Sequence, residues 1–224
     1  NPLAETGLKK FRHPQELSGI FGKGTPLATH FLPVKINGDV ALLKGIQKAI
    51  LETSETLIDV NFIKNDTEGF EAYRTDLLSE SWKRIVEGSG ISEEQIREVA
   101  EVIAKSKAMI CCWAMGLTQH QNAVANIQEI VNLLLLGGHF GRPGAGACPV
   151  RGHSNVQGDR TMGIWERPTS EFLNSLGKEF LFTPPAAHGY DTIESIEAMH
   201  QGKVKVFIGL GGNFLSATPD TAYT

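Results

Sequence analysis

Several stretches of the chain set apolar side chains at helical spacing, and short continuous apolar runs fall between them. Leu42, Leu43, Ile46 and Ile50 keep the 3.6-residue period behind Asn37-Gly38, with Asp39 placed to cap the helix. Ser92-Glu93-Glu94-Gln95 reads as a capping box, after which Ile96, Val99, Ala100 and Ile103 line one face. A helix starting near Gln121 carries Ala123, Ile127, Ile130, Val131 and Leu134 toward a core and stops at Gly137. Asp191 with Glu194 makes another box-like start; Ile193, Ile196 and Met199 follow, and Gly202 ends the helix.

The apolar runs between these helices read as strands. Thr29 to Lys35 is short and carries the edge-type proline Pro33. Ala108 to Ala114, ending at Gly116, has the pattern of a buried parallel strand, and Val204 to Ile208 runs into Gly209-Leu210-Gly211-Gly212-Asn213. Helix, strand, loop, helix is half of a doubly wound unit, so the pattern predicts an α/β fold with a mostly parallel sheet. Residues 1–26 read as a polar loop, and 55–87 as a helical excursion with mixed charges and few core positions.

Gly137–Gly163 breaks both periodicities. It packs eight glycines, two prolines and three arginines beside Asn, Gln, Asp, Ser and His side chains, a run built for contact rather than packing. Dense glycine lets a ligand approach main-chain N–H groups, and arginine forks suit phosphate or carboxylate oxygens. A strand feeding a Gly-rich turn, as at Gly209–Asn213, is where open α/β sheets hold nucleotides. The third glycine of the dinucleotide fingerprint is missing there, so that turn alone is a weak signal.

Composition narrows the classes. The chain has 224 residues, 41% hydrophobic and 21% charged, ordinary for one sizeable core or two small ones. A net charge of −4 with no basic stripe argues against a nucleic-acid partner. No apolar run reaches the length of a membrane span. The start at Asn1-Pro2 and the helix opening at Thr218-Pro219-Asp220 give the look of a piece of a longer protein. Cys111, Cys112 and Cys148 fit neither a disulfide framework nor metal-site spacing, which predicts buried, reduced thiols and a cytoplasmic setting.

Trp113–Gln119 reads WAMGLTQ; after an apolar helix comes GRPGAGACPVRGHSNVQG. The order and spacing of these blocks resemble the molybdopterin oxidoreductases of the DMSO-reductase superfamily, above all the formate-dehydrogenase-like alpha subunits, over nearly the whole chain. The resemblance implies Rossmann-like α/β domains that hold two molybdopterin guanine dinucleotides per full-length chain, with molybdenum or tungsten as the metal. It places a boundary near Gly152: residues 1–152 form most of one dinucleotide domain, and residues 153–224 begin the returning part of the other.

Residue by residue, the resemblance makes Arg151 the arginine that faces metal and substrate, where it can clamp formate, nitrate or a similar anion. Met115, Gly116 and Gln119 match residues against the pterin and pyrophosphate of one dinucleotide. Gly152 and His153 are also set against the cofactor, and Asn155 and Gln157 read as amide contacts to it or as loop-internal bonds; His153 stands where formate dehydrogenases carry glutamine, which puts formate itself in question. Gly211, Asn213 and Ser216 match the turn that meets the second dinucleotide. Asp39 matches a position that can face guanine, and Asn1 a turn after a strand that precedes this sequence. The family's 4Fe–4S cysteines and its metal-ligating residue match nothing here, so the resemblance predicts no metal ligand in this segment, an electron-transfer partner protein for the whole, and little activity for the piece alone. Two other readings stay open: the nucleotide-holding or purely structural middle domain of a thiamine-diphosphate enzyme, and an assembly or stress protein that keeps the fold without turnover.

Overall fold

A computed structural model describes residues 9–22, 24–53 and 57–224. It divides into two compact units, Asn1–Gly152 and His153–Thr224. The expected turn at Asn1 lies outside the described residues.

In the first unit, β1 (Lys10–Phe11) pairs antiparallel with β2 (Thr25–Pro26), with α1 (Leu17–Phe21) between them. A helical layer follows: α2 (Asp39–Thr53), α3 (Val60–Asp66), α4 (Phe70–Ser79), α5 (Trp82–Ser89) and α6 (Glu93–Ala104). Then come β3 (Ile110–Trp113), the one-turn α7 (Met115–Thr118), α8 (Ala123–Leu136) and β4 (Gly146–Pro149).

Helix α2 is the hub, packed on α4, α5, α6 and α8. Ile46 and Ile50 meet Ile85, Ile96 and Leu133 in the main core. Close approach there requires Gly45: a Cβ on it would sit 2.7 Å from Ile85 Cγ2 and 3.2 Å from Ile96 Cγ2. Any larger side chain would push α2 off α5 and α6.

Several expectations are corrected. Asp39 does not cap α2. Asn37 turns the chain at φ +62°, and the carbonyl of Gly38 accepts from Leu42 N at 3.0 Å, which leaves Asp39 inside the first turn. Thr29–Lys35 forms no strand. Pro33 has no N–H to give, and Lys35 donates through its backbone N and its Nζ to the carbonyls of Ser89 and Glu87 at the end of α5, each at 2.9 Å. The described part of 55–87 is core rather than periphery, since Ile63, Leu77 and Ile85 are buried. Charged exposed faces on α3 to α5 hide that pattern because each helix is short and buries only one or two residues.

The second unit holds α9 (Val156–Thr161), α10 (Ser170–Phe180), α11 (Thr192–His200) and α12 (Phe214–Ala217). The capping box before α11 forms as its residues require. Asp191 Oδ1 accepts from Glu194 N at 2.9 Å, and Glu194 Oε2 accepts from Asp191 N at 3.0 Å. At the other end, Lys203 and Val204 turn their N–H groups to the Ala198 carbonyl.

The fold is mixed α/β, with two two-stranded sheets among the described residues. The predicted doubly wound sheet does not form among the described residues, where one parallel pair, β3–β4, stands in its place. Val204–Ile208 has no strand partner among the described residues, so its apolar side chains stay uncovered: Val206 is 74% and Ile208 86% exposed. No helix of the described residues is long and apolar enough to cross a membrane.

Candidate functional site

The parallel pair β3–β4 organises the site. Its register sets Ile110 against Gly146 and Trp113 against Pro149, so both strands end together, and Val150 N donates to the Trp113 carbonyl at 2.7 Å. Two segments far apart in sequence, Met115–Gln119 and Val150–Gly152, therefore leave the same carboxyl edge. A ladder of backbone bonds needs no large side chains, which is how a strand forms inside the glycine-rich stretch that reads as irregular. Helix α9 likewise falls within that stretch, against expectation.

The edge brings Met115, Gly116, Gln119, Arg151 and Gly152 into one neighbourhood. The Met115 sulfur lies 3.4 Å from where a Cβ on Gly152 would stand. Gly116 has no atom within 4 Å of its missing Cβ, so its backbone is open to approach. Gln119 and Arg151 are exposed, and neither side chain has a protein partner among the described residues.

The arginines of the glycine-rich stretch divide by role. Arg142 Nη2 pairs with Asp59 Oδ2 at 3.0 Å, and its Nη1 donates to the Lys107 carbonyl at 3.0 Å. Its fork is used up in tying the loop to α3, where Asp59 Oδ1 also caps the helix by accepting from Phe62 N. Arg160 lies over the Trp165 ring at 5.3 Å, a cation–π contact. Of the three, Arg151 is the one with neither a hydrogen bond, an ion pair nor a ring contact among the described residues.

Asn126 went unnoticed in the sequence. It is 0% exposed within the apolar run of α8, and its Nδ2 donates to the Leu117 carbonyl at 2.9 Å, pinning the Met115–Gln119 turn to the helix. The available signal was an amide at a core-facing position, one turn before Ile130.

The remaining expected residues lie elsewhere. Asp39 sits at the start of α2, with no hydrogen bond to the β3–β4 edge. In the second unit, the His153 carbonyl accepts from Val156 N at 3.2 Å and the Asn155 carbonyl from Asp159 N at 2.9 Å; Gln157 follows in the first turn of α9, and all three are exposed. Gly211 and Gly212 take φ of +72° and +74°, a turn that leads through Asn213 into α12, where Ser216 is exposed. Among the described residues, no group of three or more His, Cys, Asp or Glu side chains is arranged to hold a metal ion.

A concavity of about 580 Å³ is lined by Ile50, Leu133, Asp59, Asn61, Ser106 and His139, and shares no residue with the β3–β4 edge. His139 is 3% exposed, and its Nδ1 has no hydrogen-bond partner among the described residues. Burial first, then the Arg142 charge, pulls its pKa below the ordinary histidine value. The unfolded chain thus takes up the proton more readily, and the first unit should lose stability as pH falls below about 6.5. Urea unfolding between pH 7 and 5 should show that loss, and His139→Gln should flatten it.

The cysteines are not buried as expected: Cys112 is exposed, and Cys111 and Cys148 are intermediate. The Cys112 thiol is pushed up, first by its hydrogen bond with Cys148, and burial pushes up Cys111.

Fold and site together define a mixed α/β chain whose open, polar loops meet at a parallel carboxyl edge. Comparison with known proteins adds that the chain is similar, along its whole length, to part of larger proteins named as oxidoreductases. An uncharacterized oxidoreductase of Mycobacterium tuberculosis is 49% identical over 228 residues, which cover 100% of this chain and 29% of that protein. A Staphylococcus aureus protein named provisionally as a formate dehydrogenase is 32% identical over 185 residues, covering 79% of this chain and 19% of its own length. Among solved structures, acetylene hydratase from Pelobacter acetylenicus aligns at 27% identity and a TM-score of 0.48, covering 53% of this chain and 16% of that one. The chain spans about three tenths of the first of these relatives, and no family model matches it.

Proposed function

We propose that this chain is the central, cofactor-holding portion of a molybdopterin guanine dinucleotide oxidoreductase, which oxidises or reduces a small anion such as formate by two electrons. The observation that carries the reading is the shared carboxyl edge of β3 and β4, where the GxTQ turn and the VRG segment meet. Similarity to proteins named as oxidoreductases, one of them provisionally a formate dehydrogenase, supports the same class.

The donor set suits such a cofactor. Open backbone at Gly116, the Gln119 amide and the Met115 thioether packed against Gly152 offer donors, an acceptor and an apolar contact to a pterin and its pyrophosphate. When bound, the group would supply a metal centre for two-electron chemistry. This chain's own part is to hold and orient: Asn126 keeps the turn in place, and Arg151 presents a guanidinium to the anionic substrate. In the second unit, His153, Asn155, Gln157, Gly211, Asn213 and Ser216 are assigned to dinucleotide contacts, and Asp39 in the first unit to guanine. The units 1–152 and 153–224 are assigned to one dinucleotide each, in a cytoplasmic enzyme that passes electrons to a protein partner through a 4Fe–4S cluster carried outside this segment.

The test is the content of the natural full-length protein. Acid release should give molybdenum or tungsten together with a guanine nucleotide. An adenine nucleotide, or a preparation without transition metal, would overturn the reading in favour of a thiamine-diphosphate-type or non-catalytic domain.

A further inference from the structure

Cys112 on β3 and Cys148 on β4 stand directly opposite each other in the parallel ladder. Opposed residues of adjacent strands share a face, whereas Cys111, one position earlier, points to the other. Neighbouring strands run about 4.8 Å apart, inside the Cα separation of about 4.4–6.8 Å that a disulfide spans. Cys112 is open to solvent, and Cys148 is half-buried beside it. Nothing in the proposed cofactor contacts uses either thiol.

We propose that Cys112 and Cys148 form a reversible dithiol–disulfide pair, oxidised by a low-molecular-weight disulfide, that ties β3 to β4. The exposed Cys112 thiolate attacks one sulfur of the small disulfide, forming a mixed disulfide and expelling one thiolate. The Cys148 thiolate then attacks the Cys112 sulfur, closes the protein bond and expels the second. Two electrons pass to the small disulfide, and the two protein protons end on the two thiols released; excess thiol reverses both steps. The bond lies one residue before Trp113 and Pro149, so it would hold together the edge from which Met115–Gln119 and Val150–Gly152 emerge. This inference stands whether or not that edge binds a pterin.

The experiment takes the reduced full-length protein, adds oxidised glutathione, blocks free thiols and maps peptides without reduction. The main product should be a Cys112–Cys148 linked peptide with Cys111 blocked as a free thiol, and dithiothreitol should abolish the link. C111S should leave the link intact, while C112S and C148S should each remove it and leave a glutathione adduct on the remaining thiol of the pair. Linking should be at least about tenfold faster in the folded chain than in urea, because the strands hold the thiols together. It should also accelerate as pH rises from 7 to 9, as more thiolate forms. A bond that involves Cys111, stable adducts on Cys112 and Cys148 without closure, or equal rates in folded and unfolded chains would overturn the proposal.

Discussion

Replacing Arg151 by alanine in the full-length protein should lower kcat/KM for its anionic substrate by about 10²–10³-fold, the usual cost of losing one donor aimed at developing charge. This expectation rests on the function proposed above. Arg151 is exposed, makes no protein hydrogen bond or ion pair among the described residues, and leaves the β3–β4 edge beside Met115 and Gly152. Its loss should therefore shift the unfolding of the 224-residue chain by no more than about 0.5 kcal/mol. Arg151→Lys keeps the charge but not the planar fork and should recover only part of the rate. Steady-state kinetics and urea melts on the same variants separate the two roles. Intact turnover with a lowered melting midpoint would make Arg151 a structural residue.

Gln47→Leu should destabilise the first unit by about 3 kcal/mol, from groups left unpaired at about 1–3 kcal/mol each. Gln47 is wholly buried on α2. Its Nε2 donates to the Glu129 carbonyl at 3.1 Å and to Glu129 Oε2 at 3.0 Å, and its Oε1 accepts from the Tyr73 hydroxyl. One amide thus joins α2 to α4 and α8. Leucine fills similar space but strands the Tyr73 hydroxyl and the buried Glu129 carboxylate. Adding Tyr73→Phe to Gln47→Leu should cost much less than Tyr73→Phe alone, because the partner is already gone. Burial first, and the Glu129 charge second, push the Tyr73 pKa well up. A folded-state pKa above the unfolded one gives stability that is whole below about pH 10 and drains away as pH rises further. An unchanged urea midpoint for Gln47→Leu would show that the network contributes nothing.

The long helices were legible because each carries several apolar residues at one period and ends on a local signal. The Ser92 and Asp191 caps and the stops at Gly137 and Gly202 all depend on atoms within a few residues of one another. Short helices such as α3 and α5 bury one or two residues apiece, too few for a period to show, and their membership of the core was missed. The segments 29–35 and 204–208 have strand composition, but a strand exists only when another pairs with it, and no partner stands beside them among the described residues.

The candidate site divides along the same line. WAMGLTQ and the VRG block stand out as candidate contact segments from residue type and order alone, since glycine, amide and guanidinium carry their chemistry wherever they are placed. Which arginine is free could not, because the ion pair of Arg142 with Asp59 and the stacking of Arg160 on Trp165 join groups that only packing brings together. Nor could the opposition of Cys112 and Cys148, or the grip of Asn126 on Leu117. Local chemistry follows from covalent neighbours, but a backbone ladder between distant segments sets which side chains share a face, and no window of sequence contains both of its strands.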